Sequence, residues 1–207
     1  QVFASADRIP VDDSSRIILM SDCHRGDGSQ ADDFLNNENL YISALNHYFD
    51  KGFMYIEIGD GDELWENKRL SVIINAHPES FQILKRFYQE KRLHFIYGNH
   101  DMVKRKANCV KANLYEYYDR RAGRLPLFEN IRIHEGLVLE YTGEGQQAVK
   151  KILLIHGHQV DFLNSRMWRF ARFLVRYLWK PLEMFGVTNP TSPAKNQEKK
   201  EKVGRRL

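Results

Sequence analysis

Asp22 and His24 stand one residue apart in "SDCHRGDG" (21–28), directly after the apolar run "RIILM". A carboxylate and an imidazole are costly at the edge of a core unless something there needs their oxygen and nitrogen atoms. The pattern recurs. The run "MYIEI" (54–58) leads into "GDGDELWE", "HFIY" (94–97) into "GNHD", and "KILLI" (151–155) into "HGHQVD". Each run delivers Asp, Asn or His beside a glycine, which lets the backbone turn sharply and approach a ligand closely. Asp oxygens, an Asn carbonyl and imidazole nitrogens, without thiolates, suit divalent Mn, Fe or Zn. The chain has no G-x-S-x-G for a serine hydrolase. It also lacks the G-x-G-x-x-G and P-loop fingerprints of nucleotide binding.

The elements that must position these residues are legible as patterns. The four runs and a fifth, "LVLEY" (137–141), have strand length and turn-like exits. Between the first three lie helical segments. "FLNNENLYISALNHYFD" puts Phe34, Leu40, Ala44, Leu45 and Tyr48 near one face, and Pro78 divides "SVIINAHPESFQILKRFYQE" into a short and a longer helix. Alternating strand and helix reads as an α/β domain. In such sheets ligands bind at the carboxyl ends of the strands, where the loops converge. Asp22 and His24 therefore read as one corner of a shared polar site.

Composition agrees with a folded domain. The 207 residues are 43% hydrophobic and 28% charged, with a net charge of +4. Much of the basic excess falls in the last quarter, which argues for a local basic face and against a nucleic-acid-coating surface. Cys23 and Cys109 imply no disulfide framework. No signal peptide is visible, and no apolar stretch approaches the roughly 20 residues that span a bilayer. A cytoplasmic protein is expected.

Taken in order, the motifs resemble those of the calcineurin-like metallophosphoesterases: D-x-H, G-D-x-x-[D/E], G-N-H-[D/E], a later His, and G-H-x-H. The matches are Asp22-Cys23-His24, Gly59-Asp60-Gly61-Asp62-Glu63, Gly98-Asn99-His100-Asp101 and His156-Gly157. "GDGDELW" and the apolar segment after His156 look most similar to the UDP-2,3-diacylglucosamine diphosphatase branch. The resemblance implies an α/β/β/α sandwich and two divalent ions (Mn, Fe or Zn). Asp22 and His24 would hold the first, Asn99 and His156 the second, with Asp60 bridging. His100, oriented by Asp101, would act on the phosphate as general acid or electrostatic stabiliser. Two metals about 3.5–4 Å apart can share a hydroxide and clamp both oxygens of an in-line displacement.

The family's final G-H-x-H does not follow His156, and "NPTSPAKNQEKKEKVGRRL" contains no histidine. Three readings follow. The sandwich lacks its C-terminal strands because the chain is a piece of a longer protein; His158 serves as a further metal ligand; or catalysis is lost. Arg25 could meet a substrate phosphate by its bidentate fork or simply be exposed. Asp27 and Asp62 read as loop carboxylates, Cys23 as a small packed side chain. His47, His77, His94 and His134 read as surface or packing residues.

The expected organisation is a catalytic core at 1–163 and a cap-like 164–207. Within the cap, Arg166, Arg169, Arg172, Arg176 and Lys180 recur every three or four residues of "NSRMWRFARFLVRYLWKPLEMF" (164–185), among bulky apolar residues. Such a helix either lies on a membrane surface or docks on the domain with its arginines as a shield. The resulting expectation is a metal-dependent phosphoesterase acting on a phosphorylated small molecule or lipid-linked phosphate, with peripheral membrane contact through 164–185. A phosphate-recognising module with an incomplete metal site, or a nuclease, is the alternative.

Overall fold

Apolar runs of four to six residues are too short to bury as helices, and five of them pair as strands where the sequence pattern puts them. The computed structural model describes residues 2–119, 122–145, 148–158 and 172–181. In chain order, a single helical turn α1 (Val2–Ser5) precedes β1 (Asp7–Val11) and β2 (Ile17–Met20). Then come α2 (Glu38–Asp50), β3 (Met54–Ile58), α3 (Leu70–Ala76), α4 (Pro78–Gln89) and β4 (Leu93–Ile96). Next are α5 (Ala107–Leu114) and the hairpin strands β5 (Glu116–Asp119) and β6 (Gly123–Pro126). Last among the strands are β7 (Ile133–His134), β8 (Gly136–Tyr141) and β9 (Lys150–Ile155). Pro78 does divide its segment, sitting in the first turn of α4 where its missing N–H costs nothing.

The first sheet is wholly parallel, ordered β2–β3–β4–β7. Crossovers through α2 and through α3–α4 connect its strands, as parallel pairing requires. Alternate residues of β3 serve opposite cores. Tyr55 packs with Leu45, Ile73, Leu84 and Phe87 of the helices, whereas Ile56 packs with Ile9, Leu137, Leu139 and Leu154 of the second sheet. Burial on both faces explains the near-continuous apolar run. The second sheet is mixed: β8 lies parallel to β1 and antiparallel to β9. Helices, sheet and sheet thus stack in three layers, the α/β/β part of the expected sandwich. Beyond α1, which touches β8, the described residues build no fourth layer. The sequence pattern did not expose β1, β7 or the β5–β6 hairpin.

Candidate metal centre

The ends of β2 and β3 continue their pairing into the loops. Asp22 N–H donates to Gly59 O (3.1 Å), His24 N–H to Asp60 O (2.9 Å) and Arg25 N–H to Gly61 O (3.0 Å). The third loop is tied to the second by His100 N–H, which donates to Asp60 Oδ1 at 2.8 Å. Such close approach leaves no room at Gly98, where a Cβ would overlap the Asp60 carboxylate. Asp22 (φ 54°), His24 (φ 50°) and Asp60 (φ 52°) are all left-handed. Each such residue costs about 1–3 kcal/mol and persists only where its surroundings over-determine it.

Asp22, Asp60 and His156 aim donors at one locus, and His24 stands beside the same two carboxylates. His156 Nε2 lies 3.4 Å from Asp60 Oδ2 and 3.7 Å from Asp22 Oδ1. His24 Nε2 lies 3.9 Å and 3.8 Å from the same oxygens. Ligands about 2.1 Å from a tetrahedral ion stand about 3.4 Å apart, so these separations and this oxygen–nitrogen donor set fit a divalent cation. Asp22 is 57% exposed at its side chain and Asp60 4%, so the locus opens to solvent on the Asp22 side. The His156 and His24 imidazoles beside it hold the Asp22 carboxyl well below the usual carboxylate range. Burial raises the Asp60 carboxyl above it, with His100 opposing.

A second histidine group is of another kind. His24 Nδ1 and His100 Nδ1 approach Glu63 Oε2 at 2.7 Å and 2.6 Å. Those distances are too short for atoms flanking an ion and right for hydrogen bonds. An ionised carboxylate only accepts, so both imidazoles carry hydrogen on Nδ1 and their Nε2 atoms are left for other partners. Burial works against ionisation of Glu63, but His100 and His24 outweigh it and depress its pKa. Glu63 Oε1 in turn accepts from Trp65 N–H (3.0 Å) and Glu66 N–H (3.3 Å).

The structure therefore brings Asp22, His24, Asp60 and His156 together. Asn99 sits in the loop after β4, 7% exposed, with its backbone carbonyl accepting from Trp65 Nε1–H at 2.7 Å. Three expectations need correction. Arg25 does not meet substrate: it is fully buried, forked on Glu57 (2.7 and 2.8 Å) and bonded to Asp62 (2.8 Å). Asp101 does not orient His100. Its carboxylate accepts from Gly98 N–H (2.7 Å) and Lys104 Nζ (2.7 Å), and the carboxylate on His100 is Glu63. His158 joins neither group. Its ring centroid is 5.5 Å from that of His156, and burial pushes its pKa down to about 4. Cys23 is a packed side chain whose thiol burial pushes up to about 12.

Sequence reasoning assigned no role to Glu57, Glu63 or Trp65. Glu57 left a signal, a charge inside a strand apolar on both sides. Glu63 is the acidic residue that closes the second motif. Trp65 left none.

Arg166 and Arg169 of the basic stripe lie outside the described residues, as does everything in 182–207. At 172–181 Arg176 and Lys180 turn inward. Arg176 donates to the carbonyls of Leu64 (2.8 Å), Trp65 (2.9 Å) and Asn67 (3.0 Å). Lys180 donates to Asp27 (2.6 Å) and Asn67 (2.7 Å). The face turned to solvent is apolar, with Phe173, Leu174, Tyr177 and Leu178 each 40–59% exposed. No described helix is long and apolar enough to cross a membrane.

Asp and His residues at the ends of β2, β3 and β9 thus converge on a candidate metal centre. The calcineurin-like phosphoesterase family matches residues 15–189, and the chain belongs to that family. No curated protein and no solved structure matches it.

Proposed function

We propose that the protein hydrolyses a phosphate ester or pyrophosphate, with Asp22, His24, Asp60, Asn99 and His156 holding two divalent ions of Mn, Fe or Zn. The convergence of Asp22, His24, Asp60 and His156 at 3.4–3.9 Å carries the reading. Bound there, the ions would lower the pKa of water and neutralise charge on the phosphate. The protein's own part is orientation and proton transfer. Glu63 fixes the tautomers of His24 and His100, so His24 offers Nε2 to the locus and His100 offers Nε2 to a phosphate oxygen. His100 would stabilise the charge that grows on phosphorus or protonate the leaving oxygen.

The substrate class is a lipid-linked phosphate, as in the UDP-2,3-diacylglucosamine diphosphatase branch. Phe173, Leu174, Tyr177 and Leu178 support this, because they form an apolar face on the segment docked against the 64–67 turn. Covering such a face with an acyl chain gains about 25 cal/mol per Å².

The test uses the full chain with Mn(II), a chromogenic phosphodiester, and long-chain and truncated lipid pyrophosphates. His100→Ala is expected to lower turnover about 10²–10⁴-fold with metal content unchanged. Parallel loss of metal would make His100 a ligand. Phe173→Ser with Leu178→Ser is expected to raise KM for the long-chain substrate alone. Equal effects on the truncated substrate would remove the acyl contact.

A further inference from the structure

Trp65 lies beside the proposed catalytic imidazole without offering any group to metal or phosphate. Its indole stacks on the His100 ring, with centroids 4.0 Å apart and planes 17° from parallel. Its Nε1–H donates to the carbonyl of Asn99, the residue immediately before His100. The ring is 5% exposed and packs with Tyr97 and Met102. One side chain thus fixes the plane of His100 and the backbone that carries it. Stacking on an aromatic ring is worth a factor of a few beyond area burial, which adds to the hold of Glu63 Oε2 and of the edge-on His24 ring on this imidazole.

Trp65 is itself held from the far side. The turn that bears it presents N–H groups to Glu63 Oε1 and carbonyls to segment 172–181. Arg176 covers those carbonyls with three hydrogen bonds from one guanidinium, to Leu64, Trp65 and Asn67. A cation on a set of aligned carbonyls is favourable for the reason that cations favour helix C-termini. Val175 packs against the Trp65 cluster, and Lys68 lies over the Tyr177 ring at 5.3 Å. Segment 172–181 is therefore joined through Arg176, the 64–67 turn and Trp65 to His100.

We propose that Trp65 is a positioning residue for His100 and that Arg176, reaching in from segment 172–181, holds Trp65 in place. A substrate bound on the apolar face of that segment would then steady the imidazole that acts on its phosphate. The proposal rests on the hydrolytic reading above.

Two measurements on the full chain test it. The first reads His100 directly, by long-range ¹H–¹⁵N NMR of the imidazole in metal-free protein. Wild type is expected to show one tautomer, with hydrogen on Nδ1. Trp65→Leu and Arg176→Met are expected to shift the ring signals toward tautomer averaging, whereas Trp65→Phe, which keeps a stacking ring, shifts them less. Unchanged signals in both Trp65→Leu and Arg176→Met would overturn the proposal whether or not the protein is active.

The second is steady-state kinetics with Mn(II) and a small chromogenic phosphodiester. Trp65→Leu is expected to lower kcat about tenfold, with KM and metal content within about twofold of wild type. Trp65→Phe should recover part of the loss. Arg176→Met should lower kcat less, and the double variant should match Trp65→Leu alone, because both act along one path. Multiplying effects in the double variant, or a kcat loss that only tracks a fall in folded fraction, would overturn it. Wild-type protein inactive under every metal tried would defeat the hydrolytic reading and leave the NMR result to judge the positioning.

Discussion

Asp60 and Asp62, His24 and Arg25, His100 and Asp101 are near neighbours in sequence with opposite fates. Asp60, His24 and His100 face the open locus. Asp62, Arg25 and Asp101 turn the other way into a closed network with Glu57 and Lys104, every member at most 4% exposed. Arg25 joins Glu57 to Asp62, and Lys104 joins Asp62 (2.5 Å) to Asp101 (2.7 Å). Tyr55 and Tyr41 add hydroxyls to the same carboxylate and guanidinium. The network ties the loops after β2, β3 and β4 together from behind. Its charges are answered by protein, whereas those of the locus face one another with room between them. Residue type alone does not separate ligand from strut; satisfaction does.

The sharpest way to break this contrast is to neutralise one member on each side. Asp60→Asn is expected to cost most in function: metal affinity should fall at least about 100-fold and turnover at least about 10³-fold, because this residue contacts both His24 and His156. Its folding should be little changed without metal. Elemental analysis, turnover and metal-free denaturation together check this, and two metals at wild-type affinity would remove Asp60 from the centre.

Arg25→Met addresses the closed side. It leaves Glu57 buried without its cation and Asp62 with Lys104 alone, a loss of about 3–5 kcal/mol. Urea denaturation should show it, and adding Glu57→Gln should recover a substantial part by removing the uncompensated charge. A double variant no more stable than Arg25→Met would mean that the network does not act as a unit.

The smallest expected effect sharpens the contrast with a third cluster. His77 is fully buried between Asp32 (2.7 Å) and Glu38 (3.0 Å), edge-on to the Phe34 ring, with Ser80 donating to Glu38. Burial alone lowers its pKa, but the hydrogen bond to Asp32 and the nearby Glu38 carboxylate outweigh that and raise it. The charged form of His77 therefore stabilises the fold fully below its unfolded pKa of about 6.5. That contribution is lost as pH rises through the higher folded value. His77→Gln should thus destabilise by about 1–2 kcal/mol at pH 6 and by less at pH 9. Denaturation curves at both pH values check the sign; a larger loss at pH 9 would mean that His77 is neutral in the fold.

The sequence revealed the metal donors because each follows an apolar run beside a glycine, and parallel pairing carries those exits to one edge. It did not reveal which of two adjacent residues faces out. A left-handed φ at His24 redirects the chain, and whether Arg25 then turns inward depends on Glu57, 32 positions away and unremarkable until Tyr55 and Tyr41 are placed beside it. Similarly, the 3.6-residue period of 164–185 was legible, but not which face would dock. Carbonyls of the 64–67 turn decide that, and backbone groups leave no mark in side-chain pattern. The short strands β1 and β7 were missed because their positions come from pairing with β8 and β4, not from their own apolar content.

The left-handed backbone at Asp22, His24 and Asp60 sets stability and activity against each other in mutational drift. Glycine at any of the three would relax the chain by roughly 1 kcal/mol while removing a donor atom. Were the activity no longer under selection, Asp22→Gly would be favoured by folding alone, whereas glycine at 24 or 60 would also give up the bond to Glu63 or to His100 N–H. Among relatives of this chain, glycine at position 22 would mark lineages that keep the fold and have given up the chemistry.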